Sequence, residues 1–277
     1  MFIRVHLWLR YFAVHLVVCI KYIPDPEAAF SMFRIDEQAM KVVPPAGLKH
    51  VVSPFDEQAV EAALRIREAH PETRITVLTL GDEASRSALK HGLAMGADDG
   101  VLLADAAFDA GDCYTTARAL TAAVRKLGAI DLVLTGRQAA DWDAGIVGAG
   151  VGELLGVPVL SFAKSVSIAD GGVRVERVLD DGSEIVEAPL PAVVTVSNEI
   201  GPPRAPTLRE TMRAARKPIV KWSGADLGLP VAGIAARCVR ERLFAPVKDG
   251  RCELIAGATP EDQGAKLALR LREARVL

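Results

Sequence analysis

Asp131–Gly148, DLVLTGRQAADWDAGIVG, decides how this chain folds. Asp131-Leu-Val-Leu-Thr135 reads as a short buried strand, Gly136 as its sharp exit, and the residues that follow as the entry to a helix of small side chains. Such a junction is where an open α/β sheet holds a nucleotide. Asp141 and Asp143 are expected helix N-caps, and free amides at that helix start would favour an anion such as a phosphate. On spacing alone, the same residues also read as turn and cap residues and nothing more. Gly148-Ala-Gly150-Val-Gly152 is not a dinucleotide fingerprint, because it falls inside the helix instead of bridging strand and helix. Its small residues are expected to allow close packing.

Outward from this junction, Ala13–Val196 alternates apolar strand-like runs with amphipathic helices, which predicts a doubly wound α/β fold with a mostly parallel sheet. Ala13–Ile20 is the first strand, followed by a hairpin around Phe33–Val43. The next helix has Ser53 as N-cap, Pro54 at its first position and Asp56 three residues after the cap, with Ala59, Val60, Ala63, Leu64 and Ile66 in its buried stripe. Then come a strand at Ile75–Gly81, a helix near Ala84–Ala94, a strand at Gly100–Leu103 and a helix near Tyr114–Leu127. Beyond Pro158 short alternating runs separated by Asp-Gly turns predict an antiparallel meander that ends at the strand Ala192–Val196.

After that strand, Pro202, Pro203 and Pro206 delay any helix until about Thr207. A helix from there brings Arg209, Arg213 and Arg216 to nearly one side. By charge alone that stripe reads as a solvated face. Gly224–Val247 is weakly patterned, and a last helix spans roughly Pro260–Ala274, capped by Thr259 and carrying Leu267, Leu269 and Leu271. The expected division is an N-terminal extension at 1–12, a nucleotide-binding domain at 13–200 and an arm at 201–277.

Composition narrows the function classes. The chain has 277 residues, half of them hydrophobic, and a formal net charge of −2. That balance fits a cytoplasmic globular protein and gives no global reason to expect nucleic acid. Arg4, Arg10 and His15 interrupt the apolar N-terminus, and Tyr11–Ile20 is too short to span a bilayer, so no membrane insertion is expected. Cys19, Cys113, Cys238 and Cys252 have neither metal-ligand nor disulfide-framework spacing. Phosphate-loop, nucleophile-elbow and zinc-protease signatures are absent. His50, His70 and His91 are scattered and suggest no catalytic arrangement.

Five stretches, in order, resemble the β subunit of an electron transfer flavoprotein. They are VVCIKYIPD at Val17–Asp25, VVSPFDEQAVEAALRIRE at Val51–Glu68, LKHGLAMGADDGVLL at Leu89–Leu103, DLVLTGRQAADWDAGIVG, and LPAVVTVSNEIGPPRAPTLRETMRAARKP at Leu190–Pro218. The resemblance implies an adenine nucleotide-binding type of α/β domain, whose arm wraps an α subunit. It further implies one FAD shared with that subunit, and AMP within the β subunit. Electrons would pass from dehydrogenases to a quinone-linked flavoprotein oxidoreductase at the membrane. The chain would then be an electron carrier with no catalytic residues of its own, since the flavin supplies the redox chemistry.

Carried over by position, the AMP site comprises Cys19, Ser53, Pro54, Phe55, Asp56, Leu80, and Gly136, Arg137, Gln138, Ala139, Ala140, Asp141, Trp142, Asp143, Ala144, Gly145, Ile146 and Val147. Phe55 matches an aromatic near the flavin; a tyrosine near the flavin in some members is replaced by Pro26. Leu208 matches the leucine that anchors the family's recognition loop in a pocket on the dehydrogenase. Arg213 and Arg216 stand at positions often held by lysine, so the resemblance gives the basic stripe a docking role. Ala144 and Ile146 replace a Thr or Cys and a Gln common in the family, removing two polar side chains. Alternatives are an electron-bifurcating β subunit with a second FAD and NADH nearby, or a stand-alone adenine-nucleotide-binding protein.

Overall fold

The computed structural model describes residues 14–109, 111–230, 235–245, 250 and 252–277. The expected extension at 1–12 lies outside the described residues. Two compact units are present: the larger takes in residues 14–34 and Val42–Glu241, and the smaller comprises Ile35–Lys41 and Arg242–Leu277.

The larger unit is built on one nine-stranded sheet. Its strands are β1 (His15–Cys19), β6 (Arg74–Leu80), β7 (Asp99–Leu103), β8 (Leu132–Gly136), β9 (Val159–Ala169), β10 (Gly172–Leu179), β11 (Gly182–Pro189), β12 (Ala192–Val196) and β13 (Ile219–Trp222). Their order across the sheet is β11-β10-β9-β12-β8-β1-β6-β7-β13. Strands β12, β8, β1, β6, β7 and β13 run parallel. β8 and β12 are buried along their whole length, as suits interior parallel strands covered on both faces, whereas the edge strand β13 exposes Val220 and Lys221. Two short two-stranded sheets pair β2 (Tyr22–Pro24) with β5 (His50–Val52), and β3 (Arg34–Asp36) with β4 (Lys41–Val43).

Four helices, α1 (Pro54–Ala69), α2 (Arg86–Met95), α3 (Cys113–Leu127) and α4 (Val147–Leu155), pack with sheet residues in two buried clusters. Ala59, Val60, Ala63, Leu64 and Ile66 of α1 pack with Leu89 and Leu93 of α2 in one of them. Ala117, Leu120 and Val124 of α3 pack with Val151 of α4 in the other. The glycines of α4 permit contact with its neighbours: a methyl on Gly148 would stand 2.6 Å from Thr135 Oγ1, and one on Gly152 would stand 2.1 Å from Val159 Cγ2.

Two expectations about the sheet are corrected. Strand β12 does not close the meander antiparallel; it inserts between β8 and β9, parallel to both. All five of its residues are buried, which suits an interior parallel strand. The proline-arginine segment is followed by β13, which pairs with β7 and extends the sheet at its far edge. The described residues between 201 and 241 fall in the larger unit.

Helix α5 (Leu208–Arg216) starts where the prolines end, and Thr207 and Glu210 form a reciprocal capping box. In the smaller unit, α6 (Pro260–Glu273) is capped by the Thr259 hydroxyl, which accepts from the Asp262 amide. Leu267 and Leu269 of α6 are exposed.

Candidate functional site

The chain leaves β1 for β6 on one side and returns to β8 on the other, so the order of strands reverses at the β1/β8 pair. Ligands of open α/β sheets occupy the crevice outside the carboxyl ends of strands at such a point. Cys19 ends β1, Leu80 ends β6 and Gly136 ends β8. The N-terminus of α1 faces the same place: Asp56 Oδ2 accepts from the Lys21 amide at 2.8 Å and Oδ1 accepts from the Gly136 amide at 3.0 Å.

Asp56 therefore does something other than mark a helix start. It bridges the chain after β1 to the end of β8, 35 residues from Lys21 on one side and 80 residues from Gly136 on the other. Ser53 occupies the N-cap position, but its hydroxyl makes no cap bond. Ser53 Oγ instead accepts from the Ala140 amide at 3.4 Å. Pro54 opens α1, and Phe55 lies under the Arg137 guanidinium, 5.2 Å from the ring centre.

Asp141 and Asp143 are not helix caps. Helix α4 begins at Val147, and its N-cap position is Ile146, which supplies no side-chain bond. The intervening chain is held as a loop by left-handed backbone at Asp143 (φ 48°) and Gly145 (φ 66°). Asp141 instead pairs with Lys21 at 2.6 Å, and Gln138 Nε2 donates to Asp143 Oδ1 at 2.7 Å. The Asp143 amide turns back to the Ala139 carbonyl at 3.0 Å. Ala144 and Ile146 are exposed, as is Trp142, with Arg240 lying 5.3 Å above its ring.

The electrostatics of the crevice follow from burial. Desolvation pushes the Cys19 thiol up to about 12, helped by the neighbouring Asp56, so this cysteine stays a thiol. Desolvation likewise raises the Asp56 carboxyl to about 7, against the opposing amides of Lys21 and Gly136 and the Lys21 charge. The folded chain thus holds this proton more tightly than the unfolded chain. The group's contribution to stability is fully present below about pH 4 and is lost as pH rises to about 7. Wild type should accordingly lose stability relative to Asp56→Asn between those pH values, by at most about 4 kcal/mol. Urea midpoints of both chains across that range check this, and a pH-independent difference would contradict it.

Arg137 is the other unusual group. Its amide continues the sheet by donating to the Val196 carbonyl at 2.8 Å. Its Nε is buried with no hydrogen-bond partner among the described residues. A guanidinium held beside an aromatic ring with a donor unspent suits an anionic group arriving from outside the chain.

The structure thus brings Cys19, Ser53, Phe55, Asp56, Gly136, Arg137, Ala140 and Asp141 to one end of the sheet. Sequence reasoning missed Lys21, although it lies inside a quoted motif, because its partner is 120 residues away. Leu208, Arg213 and Arg216 are not part of this crevice. They lie on α5, where Leu208, Arg209, Met212, Arg213 and Arg216 line a shallow exposed groove.

The histidines are occupied elsewhere: His70 bonds the Ile168 carbonyl, His91 pairs with Glu57, and His50 lies against Tyr22. Among the described residues no group of His, Cys, Asp and Glu is arranged to hold a metal ion, and no helix is long and apolar enough to cross a membrane.

The electron transfer flavoprotein domain model matches residues 41–227. The chain is 33% identical over 267 residues to the caffeyl-CoA reductase-Etf complex subunit CarD of Acetobacterium woodii, covering 95% of this chain and 100% of that one. It is 34% identical over 227 residues to the electron transfer flavoprotein subunit beta of Megasphaera elsdenii, covering 80% and 82%. Protein FixA of Azorhizobium caulinodans is 34% identical over 244 residues, with 84% and 85% covered.

Proposed function

Because the chain belongs to the electron transfer flavoprotein family as a β-type subunit, we propose that it pairs with an α subunit, helps hold one FAD, and carries electrons from dehydrogenases to a quinone-linked oxidoreductase. The observation that carries the nucleotide part of this reading is the β1/β8 crevice. There Asp56 fixes the ends of two strands, and Arg137 keeps a buried donor without a partner. An adenine nucleotide such as AMP fits that donor set. Its phosphate would meet Arg137 and the uncapped amides at the start of α4, where the helix dipole favours negative charge.

FAD supplies the redox chemistry when bound, and the chain's own work is placement and exclusion of water. Phe55 offers an apolar wall beside the crevice, braced by Arg137. Lys21 and Asp141 tie the nucleotide loop to the end of β1. The arm beyond Glu241 is proposed to wrap the α subunit.

A second reading draws on the full-length match to a subunit of a reductase-Etf complex: the β site would hold a second FAD, with NADH nearby, as in an electron-bifurcating carrier. Nucleotides released from the denatured heterodimer and separated by chromatography distinguish the two. One FAD with one AMP supports the first reading, and two FADs support the second.

Docking of the donor is assigned to α5. Arg213→Glu is expected to lower the association rate with the donor dehydrogenase by about threefold or more at low ionic strength and to flatten its salt dependence, since an exposed charge acts through steering. Stopped-flow rates at several salt concentrations check this. An unchanged rate would leave the arginines as an ordinary solvated face.

A further inference from the structure

Helix α5 exposes what a short helix ordinarily buries. Leu208 and Met212 are 78% and 58% exposed, and Ala214 is the helix's one buried residue. Nine residues are too few to hold a helix in water unaided, so the order of α5 must come from Ala214 packed against α2 and from the fastenings at its two ends.

Both ends are fastened to the helices beneath. Ahead of α5, Arg204 is clasped by Glu61 of α1. The Arg204 Nε donates to Oε2 at 2.7 Å, Nη2 donates to Oε1 at 3.0 Å, and the backbone amide donates to Oε2 at 3.1 Å. Glu68 adds a second carboxylate 2.8 Å from Arg204 Nη2. Glu61 also accepts from Arg65 Nε at 2.9 Å, and Arg65 Nη1 donates to the Ile200 carbonyl at 2.7 Å. Burial opposes the charge of Glu61, yet the hydrogen bonds from Arg204 and Arg65 prevail and hold it below the usual carboxylate range.

At the other end, the Lys90 ammonium of α2 donates to the carbonyls of Ala214, Ala215 and Lys217 at 3.2, 2.7 and 3.0 Å. A cation at a helix C-terminus meets the negative end of the dipole and the carbonyls the helix leaves unpaired. Lys217 reciprocates by donating to the Ala97 carbonyl, just past α2, at 2.6 Å.

We propose that Glu61 and Lys90 are positioning residues that hold α5 ordered, so that Leu208 and Met212 meet the donor dehydrogenase as a preformed anchor. The proposal rests on the reading of α5 as the docking helix. Neither residue lies among those lining the exposed groove. They act through the population of docking-competent helix, because apparent affinity falls in proportion to that population.

The test uses the flavin-loaded heterodimer. Lys90→Met keeps the aliphatic stem without the ammonium, and Glu61→Gln keeps the shape without the charge. Each is expected to speed amide hydrogen exchange across residues 207–217 by about tenfold or more. The KM of the donor dehydrogenase for the heterodimer should rise by a similar factor, with kcat at saturation held. Flavin content and reduction by dithionite should be unchanged, and Lys90→Arg should restore both exchange and KM. Unchanged exchange in both variants overturns the proposal whatever α5 docks. Faster exchange with normal KM, while Leu208→Ala raises KM, overturns preformed presentation and leaves the docking helix standing. A Leu208→Ala heterodimer with normal KM overturns both.

Discussion

Gly136→Val is expected to lose bound adenine nucleotide and to destabilise the chain by about 3 kcal/mol or more. The reason is proximity, not backbone freedom. A Cβ at this position would stand 2.6 Å from Asp56 Oδ1, 2.7 Å from Phe55 Cβ and 2.9 Å from the Phe55 carbonyl carbon. One of those atoms is backbone in the first turn of α1, which cannot yield without shifting the helix. The Asp56 carboxylate that would be displaced also accepts the Gly136 amide, so overpacking and a lost buried hydrogen bond fall together. Nucleotide released on denaturation, together with a urea titration, checks the expectation. Wild-type values in both would place the nucleotide elsewhere than the β1/β8 crevice.

Leu208→Ala is expected to reduce kcat/KM with the donor dehydrogenase by about tenfold or more, because truncating a central interface anchor commonly costs about 2 kcal/mol or more. Leu208 is the first residue of α5 and is exposed together with Met212, while Arg209, Arg213 and Arg216 flank them. An apolar edge framed by positive charge suits a pocket with an acidic rim. Flavin content and reduction by dithionite should be unaffected, since α5 lies apart from the crevice. Steady-state kinetics with the cognate dehydrogenase check this, and an undiminished kcat/KM would contradict the docking assignment.

What was legible in the sequence is what short-range physics decides. The apolar runs of β1, β6, β7 and β8, the helix stripe of α1, the Asp-Gly turns of the meander and the start of α5 after the prolines all follow from neighbours within a few residues. The packing role of Gly148 and Gly152 was legible for the same reason. What was not legible depends on pairs far apart in the chain. Asp56 has the spacing of a first-turn carboxylate three residues after the Ser53 cap, yet its oxygens are claimed by Lys21 and Gly136. Asp141 has a cap residue's chemistry, but Lys21 takes it, and a loop turned by Asp143 and Gly145 delays the helix to Val147. The parallel insertion of β12 and the edge strand β13 are decided by sheet order, which local alternation does not encode. The hold of Glu61 on Arg204 spans 143 residues, and no local motif announces it.

As a β-type subunit, this chain is expected to hold flavin only in company with an α subunit. The most direct measurement is the FAD content of the chain purified alone beside that of the same chain co-expressed with an α subunit. No stoichiometric FAD is expected in the isolated chain, and one FAD per heterodimer. Full FAD occupancy of the isolated chain would contradict it.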